Sequence, residues 1–177
     1  MDITNEQADY LLKLPKKIIK DDKPVDKLEL EQTYPFTARF ELVSKEDDEF
    51  TFLWAIKQSK RNSIRISLHY QENGSQIGLM RVDYNGGHIN PVVINEFVPK
   101  KFCPYAGKEF KNSDHHIHYH VQGYKSLAWA IPLTEDDFKI KELKEGTVIN
   151  LTFVDIIKEF AKTVNIETEI ILNPLLL

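Results

Sequence analysis

The sequence predicts an α+β fold, in which an antiparallel β-sheet of about six to eight strands packs against a C-terminal amphipathic helix and a short N-terminal helix. Three observations carry this expectation. Apolar and aromatic residues alternate with polar ones through residues 27–84, the period of half-buried strands. The spacing changes to i, i+3, i+4 at Phe153, Ile156, Ile157, Phe160, Ala161 and Val164, the stripe of a helix lying on a core. The breaks between the apolar runs of the meander are short and polar, as connections between antiparallel neighbours are. At 177 residues the chain is expected to form one domain, 1–177, able to bury a core without disulfides.

Taken in order, Thr4-Asn5-Glu6-Gln7 has the form of a capping box, and Ala8, Leu11 and Leu12 supply the apolar stripe of a helix within 1–14 before Pro15. Lys16, Lys17 and Lys20 then read as a solvated basic helix end, followed by a turn at Asp21-Asp22-Lys23-Pro24. The β-meander over 27–84 divides into strands near 27–31, 37–43, 49–58, 63–70 and 76–84. Phe50, Phe52, Trp54 and Ile56 alternate with Thr51, Leu53 and Ala55 in the third, and Ile64, Ile66, Leu68 and Tyr70 with Arg65, Ser67 and His69 in the fourth. Between 84 and 114 the alternation lapses around Gly86-Gly87, Pro91, Pro99, Pro104 and Gly107, and long irregular connections inside a domain are usually functional or disordered. The segment 85–133 closes with a His-rich strand and a partner strand over Ser126–Ile131 that stops at Pro132. Thr134-Glu135-Asp136-Asp137 has the shape of another helix start, but the residues up to Gly146 show no clear period. A helix is placed at 150–165 and a final strand at 167–172, ended by Pro174.

Composition excludes some classes of function. Hydrophobic residues at 42% and charged residues at 28% are ordinary for a folded domain. A net charge of -4 argues against a general phosphate-binding surface, so direct nucleic-acid binding is not expected and a basic partner is. One cysteine excludes an internal disulfide, and no signal peptide or membrane span is evident; the setting expected is soluble, reducing and cytoplasmic.

The chemistry concentrates in Asp114-His115-His116-Ile117-His118-Tyr119-His120. In a strand, His116, His118 and His120 share one face, with His115, Ile117, Tyr119 and Val121 on the other. His88 and the lone Cys103 lie upstream, and five of the six histidines fall between positions 88 and 120. Zinc takes imidazole nitrogen and thiolate in a tetrahedron. The expected ligands are His88, Cys103, His116 and His118, with His120 as an alternative to Cys103, and the zinc would clamp the long 84–114 connection. Two other readings of the same histidines stand beside it: solvated side chains, or a general acid and base acting on a phosphodiester with Tyr119, Tyr124 or Arg81. Glu109 and Asp114 are the carboxylates nearest the His strand in sequence.

Arg81-Val82-Asp83-Tyr84-Asn85-Gly86-Gly87-His88-Ile89-Asn90-Pro91, with His116-Ile117-His118-Tyr119, Gly123-Tyr124 and Trp129-Ala130-Ile131-Pro132-Leu133, resembles the signature of an uncharacterised bacterial and prophage family. The family shares a Gly-His-x-Asn-Pro loop and a His-x-His strand; it places tyrosine where this chain has His120. Within that company the chain is similar to the type II anti-CRISPR proteins. The resemblance implies a metal-binding, non-catalytic inhibitor in a bacterial host cell, whose partner is the type II CRISPR effector nuclease and which blocks its use of nucleic acid. The acidic runs Glu46-Asp47-Asp48-Glu49 and Glu135-Asp136-Asp137 suit a basic partner, since opposite charge steers association. The rival expectation is a small histidine-dependent hydrolase or RNase, toxin-like, using the same cluster.

Overall fold

The computed structural model describes residues 3–61, 65–143 and 149–173. The start of the strand expected at 63–70, the stretch up to Gly146 and the stop at Pro174 fall partly or wholly outside these residues.

Helix α1 spans Asn5–Lys13, and the capping box at its start is present in full: Gln7 N–H donates to Thr4 Oγ1, and Thr4 N–H donates to Gln7 Oε1. Ala8 and Leu11 are its buried face. The next segment differs from expectation. Lys16–Lys20 is a strand, β1, and Lys23–Pro24 is a short strand, β2, that folds back on it. Lys16 is not solvated: it is fully buried, and its ammonium donates to the Leu11 and Leu12 carbonyls at 2.7 and 3.0 Å. The carbonyls at a helix C-terminus have no partners within the helix and carry partial negative charge, so a buried lysine can take the place that water usually fills. The aromatic faces of Phe52 and Tyr70 lie about 5 Å from the same nitrogen.

Strands β3 (Lys27–Glu31), β4 (Thr37–Ser44), β5 (Thr51–Gln58), β6 (Ile66–Glu72) and β7 (Ile77–Tyr84) occupy the expected region. β4 to β7 form the antiparallel meander, but β3 leaves it and pairs in parallel with the last strand, β12 (Glu169–Asn173). The connection after Tyr84 carries a two-residue ribbon, β8 (His88–Ile89) with β9 (Glu109–Phe110). The His strand is β10 (His116–Tyr119), inserted between β7 and β11 (Trp129–Pro132). The eight-stranded sheet therefore runs β11-β10-β7-β6-β5-β4-β1-β2. Thr134-Glu135-Asp136-Asp137 does not start an α-helix; Leu133–Glu135 is a single 3-10 turn, after which Asp136 Oδ1 accepts from Phe138 N–H.

Helix α2 (Ile149–Thr163) covers one face of the sheet, as its stripe predicts. The Trp54 and Phe160 rings stack at 5.6 Å, and Phe36 meets Phe153 edge-on at 5.3 Å. Directly opposed residues Trp54, Tyr70, Met80, Tyr119 and Trp129 make one apolar row across this face. Alternation sends their neighbours Ala55, His69, Arg81, His118 and Ala130 to the opposite face. No helix among the described residues is long and apolar enough to cross a membrane.

The long connection is held by amide side chains. Asn90 Oδ1 accepts from Ala130 N–H at 2.9 Å and its Nδ2 donates to the Ala130 carbonyl at 2.8 Å, covering the outer edge of β11 as another strand would. Asn5 Nδ2 donates to the Phe97 carbonyl and Asn95 Nδ2 to the Gln122 carbonyl.

Candidate metal centre and cleft

The ladder between β7 and β10 sets His116 opposite Asp83 and His118 opposite Arg81. All four side chains project from the face away from α2. Ligand atoms of Asp83, His116 and His118 lie within 4.8 Å of one another, the one such trio of acidic, His or Cys side chains among the described residues. His118 Nε2 is 3.1 Å and His116 Nε2 is 3.6 Å from Asp83 Oδ2. With bonds of about 2.1 Å, the edge of a tetrahedral zinc site is about 3.4 Å, between these two separations. The three side chains fit a divalent ion that takes nitrogen and oxygen.

Both imidazoles are fully buried. Burial lowers the pKa of His116 to about 3 and that of His118 to about 4, so each is neutral with a lone pair to give. Burial pushes the Asp83 carboxyl up, but the Arg81 guanidinium and a hydrogen bond with Ser67 outweigh that and hold it well below the usual carboxylate range. His118 Nδ1 donates to the Leu127 carbonyl at 2.9 Å, which leaves Nε2 as the unprotonated atom facing Asp83. His116 has no such partner: both of its ring nitrogens are buried without a hydrogen bond. Phe110 stacks on its ring at 4.6 Å. Arg81 bridges the other two groups, its Nε donating to Asp83 Oδ2 at 2.7 Å and its Nη2 to His118 Nε2 at 2.8 Å.

The remaining expected ligands stand apart from this trio. The His88 ring centre is 4.5 Å from that of His118, so the Gly-rich loop does reach the His strand, but His88 Nε2 donates to the Ala128 carbonyl at 2.9 Å. Burial lowers the His88 pKa. Cys103 sits on the 3-10 turn Cys103–Tyr105, its Sγ 3.8 Å from the Pro99 carbonyl. His120 falls past the end of β10 and donates through Nε2 to the Ile3 carbonyl at 2.7 Å. The carboxylate of the centre is Asp83, not the Glu109 or Asp114 that stand nearer the His strand in sequence. Asp114 is occupied by accepting from Lys111 N–H. One signal of Asp83 was available: with Arg81 it interrupts the run Leu79-Met80-Val82-Tyr84, whose members are all buried.

Of the acidic runs, Glu46 and Asp48 are exposed while Asp47 accepts a hydrogen bond from Tyr10 Oη. Glu135 and Asp137 are exposed, but the Asp136 side chain is only 6% exposed and accepts from Tyr119 Oη, so it is turned away from any partner.

Beside the trio a cleft of about 600 Å³ opens between Ser59, Lys60 and Arg65 on one side and Gly86-Gly87 on the other. Asp83 and Arg81 form part of its wall, with Lys57, Lys60 and Arg65. Gly86 is required by close approach: a Cβ there would lie 3.0 Å from the Asp83 Cβ and 3.4 Å from His116 Cε1. No curated protein and no solved structure matches the chain. Residues 3–166 match a family of unknown function, DUF6978, and the chain belongs to that family.

Proposed function

We propose that the protein is a metal-dependent hydrolase whose ion, zinc, would be held by Asp83, His116 and His118 beside the cleft. The observation that supports it is His116. An imidazole with both nitrogens buried and unpaired costs about 1–3 kcal/mol per unmet group, and an ion between Nε2 and Asp83 would remove that nitrogen's share. Arg81 satisfies Asp83 and His118 but leaves His116 untouched, so a purely structural ion-pair network does not account for the arrangement. Three protein ligands with one free position is the catalytic form of a zinc site; a structural site fills all four. Zinc so held lowers the pKa of a bound water to about 7.

Elemental analysis of protein purified without an affinity tag tests this reading. One zinc per chain is expected, lost in His116→Ala and Asp83→Ala and kept in Cys103→Ser. Folded protein without zinc, or zinc lost in Cys103→Ser and kept in Asp83→Ala, overturns it.

The inhibitor reading has a separate observation in its favour. Ile89, Val92, Val93, Ile94 and Phe97 are exposed along the long connection, Val92 at 77% and Val93 at 73%. Apolar strips of this kind mark protein contact surfaces. Co-elution with a type II CRISPR effector nuclease, lost in Val92→Asp/Val93→Asp, is expected under that reading; separate elution at low salt counts against it.

A further inference from the structure

We propose that the cleft beside the trio binds a phosphate ester of nucleotide size, with its phosphate among Lys57, Lys60, Arg65 and Arg81. Only the place of the ion rests on the hydrolase reading; the phosphate site stands on the cleft itself.

Four cations and a single acid, Asp83, line this one cavity in a chain whose net charge is -4. The concentration of positive charge is therefore local and runs against the composition. Lys57, Lys60 and Arg65 are exposed and form no ion pair among the described residues, whereas Lys17, Lys27 and Lys101 each have a carboxylate. Unpaired cations converging on one cavity leave a charge that an anionic ligand would neutralise. Arginine at the wall suits phosphate in particular, because its planar fork matches two phosphate oxygens.

The ladder fixes how far the cations stand from the ion site. Thr37, Lys57, Ser67, Asp83 and His116 oppose one another in a single row across β4, β5, β6, β7 and β10. Neighbouring strands are about 4.8 Å apart, so Lys57 rises about 10 Å from Asp83, within the combined reach of a lysine side chain and a phosphate group. A phosphate held there would lie within reach of the Asp83, His116 and His118 trio. Arg81 serves both halves: freed from Asp83 and His118 by an incoming ion, its guanidinium remains on the cleft wall.

Size separates a nucleotide from a strand of nucleic acid. The cleft, at about 600 Å³, lies within the range of about 300–1,000 Å³ usual for sites that enclose one small ligand. A polynucleotide surface needs a longer basic track, and the acidic balance of the chain does not extend one.

Calorimetry with adenosine 5′-monophosphate on the full chain, with and without added zinc, tests the proposal; adenosine, inorganic phosphate and a short oligoribonucleotide serve as comparisons. Saturable binding of the monophosphate is expected, displaced by inorganic phosphate, with adenosine at least about a hundredfold weaker. Lys57→Gln/Arg65→Gln, both exposed positions, is expected to weaken it by at least about tenfold with zinc content and melting temperature unchanged. Absence of binding, equal binding of adenosine, or an unaffected double variant overturns the phosphate site. Oligoribonucleotide binding far tighter than the monophosphate, with a steep salt dependence, replaces the nucleotide by a strand and overturns it also. Monophosphate binding by protein that takes up no zinc even when zinc is added upholds the phosphate site and removes the hydrolase reading instead.

Discussion

His116 stands directly opposite Asp83 in the β7–β10 ladder, yet no hydrogen bond joins them; His116 Nε2 and Asp83 Oδ2 are 3.6 Å apart. That separation suits two ligands of one ion better than a donor and its acceptor. It makes opposite predictions for the protein with and without metal. Without zinc, His116→Leu removes two unpaired polar atoms and is expected to stabilise the fold by about 1–3 kcal/mol. With saturating zinc the order reverses, because the wild type gains about 4 kcal/mol at a thousandfold excess over Kd and the variant gains none. Melting curves of both proteins with chelator and with zinc decide it; a zinc-independent difference removes His116 from the centre.

Arg81 competes with the ion for Asp83 and His118. Arg81→Gln is therefore expected to tighten zinc binding by about tenfold while lowering the stability of the metal-free protein, whose Asp83 loses its cation. Titration with a fluorescent zinc chelator as competitor measures this. Weaker zinc binding in Arg81→Gln would show that the guanidinium orients the ligands instead of opposing the ion.

Asn90 fastens the long connection to the sheet. It is buried, and it makes three side-chain bonds to the Ala130 amide and carbonyl and the Tyr105 carbonyl. Asn90→Ala is expected to cost about 2–4 kcal/mol and to expose the amides of residues 88–110 to hydrogen exchange before those of β5 and β6. Uniform protection across both regions in the variant would refute that role.

Lys16 gives stability a pH dependence of definite sign. Burial lowers its pKa from 10.5 to about 7 in the folded protein. Between those values the unfolded chain holds more protons than the folded one, so stability rises with pH across that window. Below about pH 7 both states are protonated and the cost of burying the charge is present in full. Urea midpoints from pH 7 to pH 9 are expected to rise more for the wild type than for Lys16→Met; parallel profiles would mean that the helix carbonyls and the Phe52 and Tyr70 rings keep the ammonium charged throughout.

Local pattern made much of this legible. The capping box at Thr4, the alternation through β4 to β7 and the stripe from Phe153 to Val164 each depend on neighbours within a few residues, and each is seen in the fold. The histidine pair was legible for the same reason, since two positions along one strand share a face. Asp83 was legible only as a polar residue in a buried run; its place beside His116 depends on which strand pairs with which, a relation between residues 83 and 116 that no local pattern shows. Lys16 misled because a lysine in sequence looks solvated; only the end of α1, with its carbonyls, and the sheet, with the Phe52 and Tyr70 rings, together accommodate it. The parallel partner of β3 was hidden likewise, because the C-terminal strand that takes it out of the meander is remote in sequence.

That remote pairing bears on synthesis. Ile18 N–H donates to Thr168 Oγ1 across a separation of 150 residues, Lys16 N–H donates to the Asn165 carbonyl, and β12 lies along β3. While a ribosome is still making the segment 165–173, β3 and the Lys16–Ile18 part of β1 not covered by β2 lack a partner on one side, and nascent chains in that state recruit chaperones or one another. The protein therefore depends on residues 165–173 to cover strands near its start.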